Sequence, residues 1–249
     1  MDSIPPVAPN DRAFRLSSRM PLPDPVSTPA PDSVANALRA RKALFWDRIA
    51  RKYAADPIAD MAGYETTLQR VRSLLSGDQD VLEIGCGTGS TALRLAPFAG
   101  SMLATDVSAE MIAIARERWE RQPTPQLRFA VADADAPVFA QGAYDAVLAF
   151  NMLHLVQDLD AALALAAQTL RPGGLLIAKT PCVAEMNPLI PYVALPLLRA
   201  IRKVPHMLCF RAEALQSAIA RQGMRIVSVE RHGTRGKDIR VFIVARKQA

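Results

Sequence analysis

The stretch Val81-Leu82-Glu83-Ile84-Gly85-Cys86-Gly87-Thr88-Gly89-Ser90 decides the fold. Its apolar start suits a buried strand, an acid interrupts the run, and glycines follow at alternate positions before a helix-forming segment. Glycine tolerates positive φ and, without a Cβ, lets a ligand lie against the backbone. The helix that follows offers unpaired N–H groups in its first turn. A strand, a glycine turn and a helix N-terminus in that order bind nucleotide-like ligands at the carboxyl end of a parallel strand. The dinucleotide fingerprint spaces its glycines as G-x-G-x-x-G. Here they fall at 85, 87 and 89, which disfavours an NAD-type oxidoreductase.

Outward from this turn the chain alternates strands and helices. Strands are expected over 80–84, 101–106, 126–131, 144–150 and 175–180, and helices over 90–98, 109–121 and 158–170. Leu159, Leu163, Ala166 and Leu170 share one face of the last helix, which Arg171-Pro172-Gly173-Gly174 ends. Repeated βα units imply a doubly wound, mostly parallel α/β sheet. A helix over 211–221 and strands over 225–231 and 239–245 close the chain, the last two pairing antiparallel at the sheet edge.

Two segments lie outside this pattern. Residues 1–33 hold eight prolines and little apolar periodicity, which reads as a disordered leader. Residues 34–78 then read as an N-terminal helical lid: Phe45, Ile49 and Tyr53 form an i, i+4 stripe, and a second helix is expected over 64–75. The main domain covers 79–249, with an apolar, proline-punctuated insert at 181–209. In that insert Ile190, Val193, Ala194, Leu197, Leu198 and Ile201 follow a helical period beside Arg199, Arg202 and Lys203. It reads as an acceptor-site cover, a membrane-interface helix or a helix packed on the sheet, and Pro196 favours the irregular cover.

Composition narrows the class. Half of the 249 residues are hydrophobic, enough for a sizeable core, and no apolar run approaches the ~18 residues of a spanning helix. Cys86, Cys182 and Cys209 have no paired spacing, so neither a disulfide framework nor a metal site is expected, and a cytoplasmic location fits. From 221 onward eight Lys/Arg face Glu230 and Asp238, which equals the whole net charge of +6. A solvated basic surface explains that excess better than nucleic acid does, and peripheral membrane contact stays open.

Three further features occupy the places a ligand site needs. Asp106 ends the second strand, where a carboxylate accepts ribose hydroxyls, although Asp also suits a helix cap there. Asp133 follows the third strand as an adenine-edge acceptor or a plain turn residue. Phe150 ends the fourth strand, and His154 lies in the loop beyond it.

Together, E-x-G-x-G-x-G, the acid after strand two, the Asp after strand three and R-P-G-G before strand five resemble the class I S-adenosylmethionine (SAM)-dependent methyltransferases. The likeness covers about residues 80–180 and points to the small-molecule branch (methyltransferase domain type 11/25-like). It implies a Rossmann-like seven-stranded sheet with an antiparallel C-terminal strand, N-terminal helices, and SAM as methyl donor. By that resemblance Glu83, Gly85, Gly87 and Gly89 cradle the methionine end, and Asp106 takes the ribose. Val107 and Met111 flank the adenine, Asp133 and Ala134 hold its edge, the Phe150 carbonyl meets the amino group, and Tyr53 closes over the cofactor. The implied reaction moves a methyl group to a small-molecule acceptor by in-line displacement. A lipid- or quinone-type acceptor and a non-catalytic SAM-binding subunit stay open, as does the oligomeric state. His154 is the candidate general base, because an unperturbed pKa near 6.5 suits the task; His232 reads as a surface residue. No Asn-Pro-Pro-Tyr follows strand four, so the base- and amide-modifying branch is not resembled.

Overall fold

The computed structural model describes residues 33–185, 206–236 and 238–248. All but Ser33 of the expected leader over 1–33, and most of the insert, 186–205, lie outside the described residues, including the periodic segment 190–201.

Helix α1 (Ser33–Ala55) and α2 (Met61–Arg72) lead into β1 (Asp80–Ile84), α3 (Ser90–Leu95) and β2 (Ser101–Asp106). Then follow α4 (Ala109–Arg121), β3 (Leu127–Val131), β4 (Tyr144–Phe150), α5 (Leu159–Thr169) and β5 (Leu170–Pro181). Helix α6 (Ala212–Arg221), β6 (Met224–Glu230) and β7 (Arg240–Lys247) finish the chain. The seven strands form one sheet in the order β3-β2-β1-β4-β5-β7-β6. Strands β1 to β5 run parallel, and β7 inserts antiparallel between β5 and β6.

Alternation within the strands fills two cores. Leu82, Val147, Leu176 and Ile243 face α5 and α6, whereas Val81, Leu148, Ile177 and Phe242 face α2, α3 and α4. Glu83 and Lys179 continue the second series by the period of two, so both belong to the α2–α4 face. The strand order reverses between β1 and β4, the place where an open α/β sheet opens its ligand crevice.

Several boundaries shift for identifiable reasons. Helix α2 starts three residues before the expected point because Asp60 caps it, accepting from the Gly63 N–H at 3.0 Å. Helix α5 stops at Thr169, and Leu170 already pairs with Tyr144 before the chain bulges through Gly173 and resumes pairing at Leu175. Arg171 of that turn bridges Asp80 and Asp145 at 2.8 and 2.5 Å, tying the starts of β1 and β4 together. Its role is at the amino ends of the strands, opposite the crevice.

Candidate active site

A cavity of about 870 Å³ opens over the carboxyl ends of β1, β2 and β4, under α1. Glu83, Gly85, Gly87, Asp106, Val107, Met111, Asp133, Ala134, Phe150 and Tyr53 all line it, as does His154. Ten of the eleven expected ligand residues therefore share one wall system, although the strands that carry them are far apart in sequence.

Gly89 is the one that stands back. It caps α3 in the left-handed region (φ +74), and a Cβ there would meet Ala115 Cβ at 2.8 Å and the Phe129 ring at 2.9 Å. The third glycine lets the turn pack on α4 and β3, and the first lets it pack on Met152, whose Cβ would lie 2.7 Å from a Cβ at Gly85 (φ +68). At Gly87 (φ +55) a Cβ would find only Tyr53 Cε1, at 3.7 Å.

The acids differ in environment. Asp106 Oδ2 accepts from Gly87 N–H and Oδ1 from Ser108 N–H, both at 2.9 Å. Burial raises its pKa against those two donors. Glu83 is 1% exposed, its Oε2 has no hydrogen-bond partner, and burial together with the Asp106 charge pushes its pKa up to about 8.

Asp133 is paired rather than open. Lys42 of α1 bonds both Asp133 and Asp135, the latter at 2.6 Å, and Arg39 Nε lies 3.5 Å from Asp133. The adenine-edge acceptor expected from sequence is thus shared with a cation of α1. Other residues missed by sequence reasoning fix the same helix: Asp47 accepts from Ser108 Oγ at 2.6 Å, and Arg118 bonds Thr88, Ser90 and the Ala54 carbonyl. Trp46 and Ala50 pack on Met111 and Ile114 beneath.

Residues 81–174 match the model of the Methyltransf_25 family, described as a methyltransferase domain. Over those residues the chain is similar to a methyltransferase domain. It is 26% identical over 187 residues to O-methyltransferase cnsE of Penicillium expansum, covering 74% of this chain and 65% of that protein. It is 36% identical over 126 residues to the iterative polyketide synthase afoE of Emericella nidulans, 46% of this chain but 4% of the synthase. The chain thus spans less than two thirds of either relative. The S-adenosylmethionine-dependent methyltransferase of Mesorhizobium loti shares the fold, with a TM-score of 0.62 at 21% identity over 75% of this chain and 98% of that one.

The residues present fit SAM by their own features: a bare Gly87 backbone, and a buried Glu83 oxygen without a partner that a cationic ligand end would satisfy. Among the described residues no group of side chains could hold a metal ion.

Two histidines depart from expectation. His232 is 8% exposed, not on the surface; Nδ1 meets Thr67 Oγ1 at 3.1 Å, Nε2 meets Glu230 at 3.0 Å, and the ring lies on Phe242. His154 does line the cavity, with Nδ1 3.2 Å from Thr180 Oγ1, but burial lowers its pKa to about 4. Burial therefore keeps this imidazole neutral at pH 7, because an apolar surrounding penalises the imidazolium. Since the unfolded chain takes up this proton near pH 6.5 and the folded chain near 4, stability falls as pH drops through that window. Relative to His154→Gln, the wild type should lose about 2 kcal/mol between pH 7 and 5. Parallel denaturant midpoints for the two proteins over that range would contradict the assignment.

Proposed function

We propose that the chain transfers a methyl group from SAM to a small-molecule acceptor. The observation that carries this reading is the single cavity that joins the glycine turn and Asp106 to a second region bounded by Tyr64, Thr67 and His154. Bound SAM supplies a sulfonium-activated methyl group, so the protein's task is chiefly orientation and exclusion of water.

Each residue then has a task. Asp106, held by two backbone donors, offers its remaining lone pairs to the ribose hydroxyls. Val107 and Met111 give apolar surface to the adenine, with Asp133 and Ala134 at its edge. Gly85 and Gly87 let the methionine portion lie on the backbone, with Glu83 and the end of β4 at Phe150 near its cationic groups. Tyr53, edge-on to Trp46 with ring centroids 6.4 Å apart, closes the mouth. His154 contributes a neutral imidazole to the acceptor side.

Calorimetry with SAM and NAD side by side tests the cofactor. SAM should bind and NAD should not; the reverse sinks the proposal. Asp106→Ala should weaken SAM binding by about 1–3 kcal/mol, the scale of charge-assisted hydrogen bonds. Unchanged affinity in a folded variant would remove Asp106 from the ribose site. Among the described residues no helix is long and apolar enough to cross a membrane.

A further inference from the structure

Lys179 is a charge in the wrong place for a packed strand. It continues the inward series Leu175 and Ile177 on β5, it is 6% exposed, and it lines the half of the cavity away from the glycine turn. Its Nζ donates to Thr67 Oγ1 at 2.8 Å, and that hydroxyl in turn donates to the Gly63 carbonyl. Among the described residues this is its one hydrogen-bond partner, and it makes no ion pair.

The neighbouring charges do not neutralise it by contact. Asp60, at the start of α2, is occupied by Gly63 N–H, Thr234 N–H and Thr234 Oγ1. Asp238 Oδ1 takes the Arg240 backbone N–H and Nε. Arg240 lines the cavity on the same side, and His232 stands behind Thr67. Burial and Arg240 lower the Lys179 pKa, while Asp238 and Asp60 oppose this. A buried ammonium with one neutral partner is costly to keep unless something else satisfies it. The cavity lining also offers the apolar side chains Pro57, Ile58, Leu68, Val71 and Met207.

We propose that this half of the cavity is an acceptor subsite for a small apolar acid, and that Lys179 binds its ionised oxygen. Phenols, enols and carboxylic acids share that chemistry; an amine does not, because its ammonium group would meet the Lys179 ammonium. Binding of a phenol or enol here breaks its O–H bond, the proton leaves to solvent, and Lys179 remains an ammonium ion beside the oxyanion. An acceptor already ionised needs no strong base. The inference rests on the methyl-transfer reading for the word acceptor, but the subsite itself can be tested without it.

The test uses the full chain with 4-nitrophenol, benzoate and phenethylamine as probes, with and without S-adenosylhomocysteine. Nitrophenol bound to the wild type should titrate, by the colour of its anion, about one unit below its free value. Lys179→Met should abolish that shift and weaken binding of the acids about tenfold, while S-adenosylhomocysteine binds as before. Benzoate binding alone in a Lys179-dependent way would assign the subsite to carboxylates. Acids bound equally by wild type and variant, phenethylamine bound more tightly than either acid, or no acid bound at all would overturn the proposal. The wild-type titration needs no variant, so a misfolded Lys179→Met does not protect the idea. A chain that ionises nitrophenol at Lys179 but binds neither SAM nor S-adenosylhomocysteine would refute methyl transfer and leave the subsite standing; acids ignored by a chain that binds SAM would do the opposite.

Discussion

Glu83→Gln is expected to stabilise the ligand-free protein at alkaline pH and to leave it little changed at pH 5. The ordinary glutamate value is 4.5, and burial beside Asp106 pushes Glu83 up to about 8. Between those values the unfolded chain has released its proton and the folded chain still holds it. The folded state therefore binds more protons, and stability falls as pH rises through the window. Integrated from pH 4.5 to 8, that loss is about 4 kcal/mol, a large share of the 5–15 kcal/mol typical of whole domains. Glutamine has no proton to release, so denaturant midpoints of wild type and variant should diverge steadily as pH rises. Equal slopes would show that Glu83 is ionised in the folded protein. The same residue makes a second forecast. A cationic ligand end beside Glu83 favours its carboxylate, so SAM binding near pH 7 should release a proton. The calorimetric enthalpy of the wild type should then depend on the buffer, and that of Glu83→Gln should depend on it much less. This is the opposite pH direction from His154, whose lowered pKa makes acid the destabilising side.

Much of this was legible because it is local or periodic. The apolar runs that end at Ile84, Asp106 and Phe150 give strands at those same limits, since a buried parallel strand needs continuous apolar surface. Asp106 and Phe150 could be placed at the cavity because the carboxyl ends of such strands converge by topology alone. What could not be read depends on pairs far apart in the chain. Lys42 and Asp133 are 91 residues apart, and neither position announces the other. Arg118 lies in an ordinary charged helix end, yet it fastens the glycine turn to α1 from across the fold. His232 sits in the polar run Arg231-His232-Gly233-Thr234, and only the placement of α2 against β7 buries it. Lys179 is different, because a signal was present. A lysine inside Leu175-Leu176-Ile177-Ala178-Lys179-Thr180 interrupts a strand that is otherwise apolar on both faces, and such an interruption is a reason to ask what the charge serves.

The three glycines of the turn should separate by experiment into two kinds. Gly89→Ala puts an L residue at φ +74, a cost of about 1–2 kcal/mol. It also drives a methyl into Ala115 Cβ at 2.8 Å and into the Phe129 ring at 2.9 and 3.0 Å. Both neighbours are buried, Ala115 within α4 and Phe129 within β3, so neither can withdraw without moving its element. Overpacking of that kind adds about 1–3 kcal/mol. A total near 3 kcal/mol should appear as a lowered denaturant midpoint, while the folded fraction still binds SAM. Gly87→Ala has a comparable backbone cost at φ +55 but nothing to collide with nearer than Tyr53 Cε1 at 3.7 Å. Its methyl enters the cavity instead, so its main effect should be on SAM affinity, with a smaller loss of stability. The two variants thus predict opposite orderings in two measurements. If Gly89→Ala chiefly weakened SAM binding at unchanged stability, the third glycine would belong to the ligand cradle after all. If instead the orderings hold, an alternate-glycine turn is one motif by sequence and two devices by physics: bare backbone for the ligand at Gly87, and close packing at Gly85 against Met152 and at Gly89 against Ala115 and Phe129.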